Sequence, residues 1–208
     1  MEASTFFAFL TASILLTLAP GPDILYLLTK SLSSGARAGI SLAAGLVSGI
    51  AFHTFLVMVG VAAVIQNSPL AQLALKLFGA AYLLFLAFKA FKAARAGAKI
   101  SIKKADAGSS LGELYRRGVL MNVLNPKVLL FFLAFLPQFV NLSSENASFQ
   151  IALLGLTFAA QAFVIFSAIA TAAARVRKII LRKKNLGQLF AYVEAAVLAV
   201  IAISLLAL

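Results

Sequence analysis

Apolar residues in this chain come in six long blocks rather than in amphipathic stripes. The blocks run approximately over 5–28, 38–65, 69–91, 115–139, 149–174 and 187–208. As helices, all six can cross about 30 Å of hydrocarbon. Polar or turn-forming residues separate them, at 31–35, 66–69, 97–113, 141–148 and 175–185. The pattern predicts an all-α integral membrane protein with six transmembrane helices. A very short turn joins the second and third blocks, which makes them antiparallel neighbours.

Two of the blocks are interrupted from within. Residues 19–23 read Ala-Pro-Gly-Pro-Asp, inside the first block. A proline removes a backbone N–H and clashes with the preceding turn. In lipid, backbone freed in this way must line a cavity or contact other protein. Asp23 adds a charge that costs about 2.5–3.5 kcal/mol at the bilayer centre on insertion scales. The fourth block carries the second interruption, Asn125-Pro126, followed by Lys127. A broken helix with an ionisable residue is the pattern of a transporter binding site.

Composition agrees with the membrane reading. The chain is 62% hydrophobic and 12% charged, about half the charged fraction of a soluble domain. Its mean hydropathy is +1.03. There is no cysteine and a single histidine, His53. Disulfides, thiolate metal sites and histidine-rich metal sites are thereby excluded, and no metal ligand set is assigned. No phosphate-cradling Gly-rich loop is present, so nucleotide drive within the chain is not expected. No cofactor is implied. The first lysine is Lys30, so the N-terminus lacks the basic start of a cleaved signal peptide and reads as the first span.

The net charge of +12 is concentrated in alternate loops. Lys30 and Arg37 fall in the first loop. Lys89, Lys92, Arg95, Lys99, Lys103, Lys104, Arg116 and Arg117 fall in or beside the third. Arg175, Arg177, Lys178, Arg182, Lys183 and Lys184 fall in the fifth. The second and fourth loops and both termini carry none, an asymmetry of 16 to 0. Cytoplasmic loops are the basic ones. The expected orientation is therefore odd loops inside and both termini outside the cytoplasm. These loops also suit anionic lipid headgroups. Nucleic acid is not expected as a partner, since no aromatic platform or nucleic-acid fold accompanies the charge.

The basic linker at about 92–114 divides a single transporter domain, 1–208, into halves of about 1–91 and 115–208, with three spans each. An odd number of spans gives the halves opposite topology, the arrangement of a 3+3 inverted repeat. The first span of each half is the proline-broken one.

Candidate pathway residues follow from these breaks. They are Pro20, Gly21, Pro22 and Asp23 in the first span, and Asn122, Asn125, Pro126 and Lys127 in the fourth. Asp23 and Lys127 either line a substrate path, binding the two ends of a zwitterion, or play structural parts. In the structural reading Asp23 caps a half-helix and Lys127 snorkels to the surface. Asn122 and Asn125 either repair the kink or meet the ligand. His53 is a proton carrier or a packing residue. Glu194, in the sixth span, carries protons or faces headgroups. Gly45 and Gly49 form a GxxxG pair that permits close helix approach, and Gly79 reads as packing.

Two other classes of protein fit the sequence less well. An intramembrane enzyme needs a nucleophile facing a base. Ser48 and His53 lie about 140° apart around one helix and do not face each other. A membrane scaffold would not need Asp23 beside a broken helix.

Several segments resemble the LysE/RhtB family of bacterial amino-acid exporters. They are Ala19-Pro-Gly-Pro-Asp23, the Gly45/Gly49/His53 span and Phe78-Gly-Ala-Ala-Tyr82. The most specific is Gly118-Val-Leu-Met-Asn122-Val-Leu-Asn125-Pro-Lys127, which continues through Phe139. The likeness spans most of the chain and weakens after about residue 145. Relatives often carry a glycine near Ala87, which is absent here. The resemblance implies efflux of amino acids or derivatives across the cytoplasmic membrane of a bacterium, driven by proton antiport. Homodimerisation is compatible with the small-residue faces. Export of metal ions or other small solutes, known in the wider superfamily, is the alternative.

Overall fold

The computed structural model describes residues 2–60, 68–98, 109–142, 144–175 and 185–207. Lys99, Lys103, Lys104, Arg177, Lys178 and Arg182 to Lys184 lie outside them. The described chain is helical. In order it forms α1 (Ala3–Leu18), α2 (Pro22–Ser34), α3 (Ala36–Gly60), α4 (Pro69–Arg95), α5 (Leu111–Val123), α6 (Pro126–Leu130), α7 (Ala147–Arg175) and α8 (Leu186–Ala207). A π-helical stretch, Phe131–Phe135, and a 3-10 turn, Leu136–Phe139, continue α6.

α3, α4, α7 and α8 are each long and apolar enough to cross a membrane. Two bent helix pairs bring the number of candidate spans to six when each pair is counted as one. α1 and α2 meet at 57°, and α5 meets the Pro126–Phe139 segment at 48°. These bends lie where the first and fourth hydrophobic blocks carry their prolines. Large apolar side chains such as Phe78, Phe85, Phe88, Phe149 and Val164 point outward, as expected of surface against lipid tails.

Local chemistry sets the boundaries. Pro22 and Pro126 each occupy the first helical position, where the missing N–H costs nothing. Ser110 and Glu113 form a capping box, with Glu113 N–H donating to Ser110 Oγ at 3.2 Å and Ser110 N–H to Glu113 Oε2 at 2.9 Å. α5 therefore begins four residues before the expected start of the fourth span. Pro137 has no N–H to give to the turn before it, and the ladder departs from α geometry there, π-helical before it and 3-10 through it.

The expected break at 31–35 is narrower than its composition suggests. α2 runs to Ser34, and only Gly35, at φ +87°, separates it from α3. Lys30 is consequently no loop residue. It is buried, with Nζ 3.5 Å from Ser109 Oγ and 5.8 Å from the Tyr26 ring. The Arg117 guanidinium lies 4.6 Å from the same ring. Tyr26 and the linker end at Ser109 give the apolar stem and ammonium of Lys30 a place inside the protein.

α3 is the central helix. It packs most extensively on α5 and α7, with α2 against α3 and α7, while α4 pairs with α8. Glycines set the α3–α5 approach. A Cβ on Gly45 would lie 2.0 Å from the Tyr115 carbonyl oxygen, and one on Gly118 would lie 2.4 Å from that of Leu42. Gly79 similarly admits the Ala134 methyl beside α4.

Candidate functional site

The two breaks meet. Ala19 ends α1 in an extended conformation, and its carbonyl is not used by a following helical turn. The Lys127 ammonium donates to that oxygen at 3.0 Å. Asn125 caps α6, its Oδ1 accepting from Lys127 N–H at 3.0 Å. The other end of the same amide donates through Nδ2 to Asp23 Oδ2. Asp23 thus takes its hydrogen bond from the opposite break and not from the start of α2, where Gly21 is the capping residue. As an acid in the first turn it still opposes the positive end of the α2 dipole.

Asp23, Asn125 and Lys127 are each 8% exposed. Lys127 does not snorkel to the surface. Glu194 of α8 joins them, contrary to a position facing headgroups. A Cβ placed on Gly21 would lie 3.2 Å from Lys127 Nζ and 3.5 Å from Glu194 Oε1. Gly21 therefore leaves space for two charged groups to approach the break. Lys127 lies in the field of both Asp23 and Glu194. Pro20 and Pro22 flank Gly21 and hold this segment out of helical geometry.

His53 and Asn122 form the adjoining layer. His53 is fully buried on α3, and its Nε2 lies 2.9 Å from the Asn122 carbonyl oxygen. A carbonyl only accepts, so this nitrogen carries the proton. The same carbonyl accepts the Asn125 N–H at 2.9 Å. His53 thereby fastens α3 to the break that Pro126 opens. Gly49 lies against the Asn122 side chain, where a Cβ would come 2.7 Å from both Cβ and Oδ1. Asn122 Oδ1 and His53 Nδ1 are buried without a hydrogen-bond partner.

A small cavity opens among Thr17, Gly21, Asp23, Asn122, Lys127 and Phe158. Its volume is about 20 Å³, room for roughly one water. The site is closed in this structure. Beside it Phe9, Phe131, Phe132, Phe135 and Phe158 form an aromatic cluster of stacked, tilted and edge-to-face rings. Centroid separations include 4.8 Å for Phe131–Phe135 and 5.1 Å for Phe132–Phe158.

Sequence reasoning missed a polar row beside this cavity. Gln161 of α7 donates to Thr17 Oγ1 at 2.9 Å and to the Ser13 carbonyl at 3.4 Å. Ser13 and Thr17 are buried on α1. The available signal was their polarity within an apolar block, one and two turns before the Pro-Gly-Pro run. Among the described residues, no three His, Cys, Asp or Glu side chains gather closely enough to hold a metal ion.

Paired broken spans that meet at a buried, charged, closed cavity define a membrane translocator rather than an enzyme. The match to a family model is direct: residues 14–208 fit the LysE type translocator, and the chain belongs to that family. It is similar to the homoserine/homoserine lactone efflux protein of Salmonella typhimurium (strain LT2), with 34% identity over 176 residues, 85% of this chain and 84% of the relative. The protein of the same description from Salmonella typhi is 33% identical over the same shares. No solved structure matches the chain. The chain is a multi-pass membrane transporter, and the family and these relatives support export.

Proposed function

We propose that the protein exports amino acids or close derivatives, such as homoserine and its lactone, from the bacterial cytoplasm in exchange for protons. The observation that carries this reading is the Lys127–Ala19 bond, which joins one unwound segment to the other at buried charges. Substrate and proton are bound by Asp23, Asn122, Asn125, Lys127 and Glu194, with Pro20, Gly21, Pro22 and Pro126 shaping the cavity and His53 bracing it. Unwound backbone and half-helix ends near the midplane are how secondary transporters hold polar cargo.

The packing supports a 3+3 inverted repeat. Exchanging α1–α2 with α5–α6, α3 with α7 and α4 with α8 maps the α3–α7 and α4–α8 contacts onto themselves. It maps the packing of α3 on α5 onto that of α7 on α1, though the first is far more extensive. In the proposed orientation both termini lie outside the cytoplasm. Alternating access then moves one half against the other about the closed cavity.

Efflux from cells preloaded with amino acids, through a panel of dipeptides, and with amino lactones tests the reading. Faster loss of at least one compound from expressing cells is expected. Equal loss of every compound with and without the protein removes it.

A further inference from the structure

One segment leads from the charged centre toward the fourth loop. Gln138 lies about 16 Å of helix beyond Lys127. On one side the segment carries rings. Phe131 and Phe132 lie 5.6 Å and 5.1 Å from Phe158, which lines the central cavity. Phe135 and Phe139 extend the row, with 4.8 Å between Phe131 and Phe135 and 4.9 Å between Phe135 and Phe139. All four rings of the segment are buried. A polar cargo would lose its hydrogen bonds along this row, which is costly. On the other side is a pocket of about 330 Å³, between the segment and the start of α4, with Leu75, Pro137, Gln138 and Val140 in its wall. Packed interiors hold few voids larger than a water molecule. The backbone between rings and pocket is irregular. Phe131–Phe135 is a π-helical turn, whose i→i+5 bonds take up about one residue more than an α turn. Pro137, just beyond, has no N–H for either winding, so neither is favoured by a bond at that position.

We propose that Phe131–Phe139 is the gate on the exit side of the cavity, and that it opens when the π turn rewinds to α geometry. This inference rests on the export reading above and names its moving part. Rewinding removes the extra residue from the turn. Every residue beyond it then passes to the site its successor held, a rotation of about 100°. The site of Phe135 is taken by Ala134, and that of Phe139 by Gln138. A methyl group and a carboxamide replace two rings, so the row opens and gains a polar side chain. Leu136 and Phe139 move to the sites of Pro137 and Val140, both in the wall of the pocket. Each is larger than the side chain it follows, and the pocket holds the space they need. Gln138 is exposed in the closed state, where its Nε2 donates to the Ala134 carbonyl at 3.4 Å. Its size therefore matters little until the gate opens.

The test compares Gln138→Phe with Gln138→Ala in the full-length chain. Gln138→Phe puts a ring at the vacated Phe139 site, so the row stays plugged in both windings. Its efflux is expected to fall below a tenth of the parent rate, with expression and melting temperature near the parent. Gln138→Ala is expected to keep at least half of the parent rate. Accessibility provides a second readout. Ile50 lines the central cavity, and Ile50→Cys gives this cysteine-free chain one thiol there. A small impermeant thiol reagent applied to intact cells is expected to label it at least tenfold more slowly when Gln138→Phe is added, and at an unchanged rate when Gln138→Ala is added. Parent-like efflux by Gln138→Phe overturns the inference while leaving export intact. Equal losses in the two variants, or equal labelling of Ile50→Cys in both backgrounds, overturn it as well. Failure of the parent chain to export any compound of the panel removes the export reading, and the inference with it.

Discussion

The ammonium of Lys127 and the carbonyl of Ala19 lie 3.0 Å apart across 108 residues of sequence. Each answers a need of the other. The Pro20–Pro22 break leaves the Ala19 oxygen without the N–H that a continuing helix would supply. Lys127 is buried and must find acceptors. Lys127→Met keeps the stem and removes the charge. It leaves Asp23 and Glu194 as an uncompensated pair and the Ala19 carbonyl bare. Losing one partner of a buried charged set costs about 3–5 kcal/mol. We expect export to fall below a tenth of the parent rate and the detergent-solubilised protein to melt earlier. Scintillation counting of efflux and a fluorescence melting curve measure the two effects. Parent-like values in both would show that the bond contributes nothing.

The α3–α5 seam makes a separate prediction about folding. Gly45 faces the Tyr115 carbonyl with no space for a methyl group. A backbone oxygen cannot move aside as a side chain can. Gly45→Ala is expected to destabilise by about 1–3 kcal/mol, the usual cost of overpacking. Gly60→Ala is the control, since nothing lies within 4 Å of its Cβ position. Equal monodispersity and melting of the two variants would contradict a close seam.

Much of this architecture was legible in the sequence. The apolar blocks located four membrane-length helices and the two bent pairs, because a span needs a long apolar stretch. The prolines at 20, 22 and 126 located both bends, because their chemistry acts locally. What the sequence left open was burial and partnership. Lys30 follows an apolar run and reads as loop, yet Tyr26 and Ser109 enclose it. Glu194 stands near the start of its span and reads either as facing headgroups or as carrying protons, and only the gap at Gly21, in another span, shows that its carboxyl approaches the break. Asp23 reads equally as a cap, and only the position of Asn125, 102 residues on, decides where its hydrogen bond comes from. Ser109, Gly21 and Asn125 are distant in sequence from the residues they meet, and hydropathy along a single span carries no information about them.

Orientation is testable because the chain has no cysteine. Single cysteines at Ser68, Ser144 and Gly108 place a thiol in the second, fourth and third loops. An impermeant maleimide applied to intact cells should label the first two and spare the third. Labelling confined to Gly108→Cys would invert the arrangement.

Opening of the bends should be separable from insertion. Pro22→Ala and Pro126→Ala restore a backbone N–H at each first helical position and relax the preceding residue's bias against helix. The bent pairs are then free to straighten, drawing Ala19 away from Lys127. Both variants should reach the membrane at normal levels and export at a small fraction of the parent rate. Immunoblots of membrane fractions beside efflux curves report the two properties. Undiminished efflux from both would reduce the bends to packing features.

Asp23→Asn separates charge from hydrogen bonding at the centre. Asparagine has the same shape, and its Oδ1 can still accept from Asn125 Nδ2, so the bridge between the breaks survives. It also preserves any contribution from capping, since Asn caps helices about as well as Asp. What disappears is one of the two carboxylates facing Lys127. If the carboxylate binds the cargo ammonium or the exchanged proton, efflux should fall at least tenfold while expression, insertion and melting temperature stay near the parent. Asp23→Glu retains the charge but lengthens the arm within a cavity of about 20 Å³, and should recover part of the loss at most. Efflux by Asp23→Asn at the parent rate would relieve Asp23 of any charge-dependent role. The binding charge would then rest on Glu194 alone.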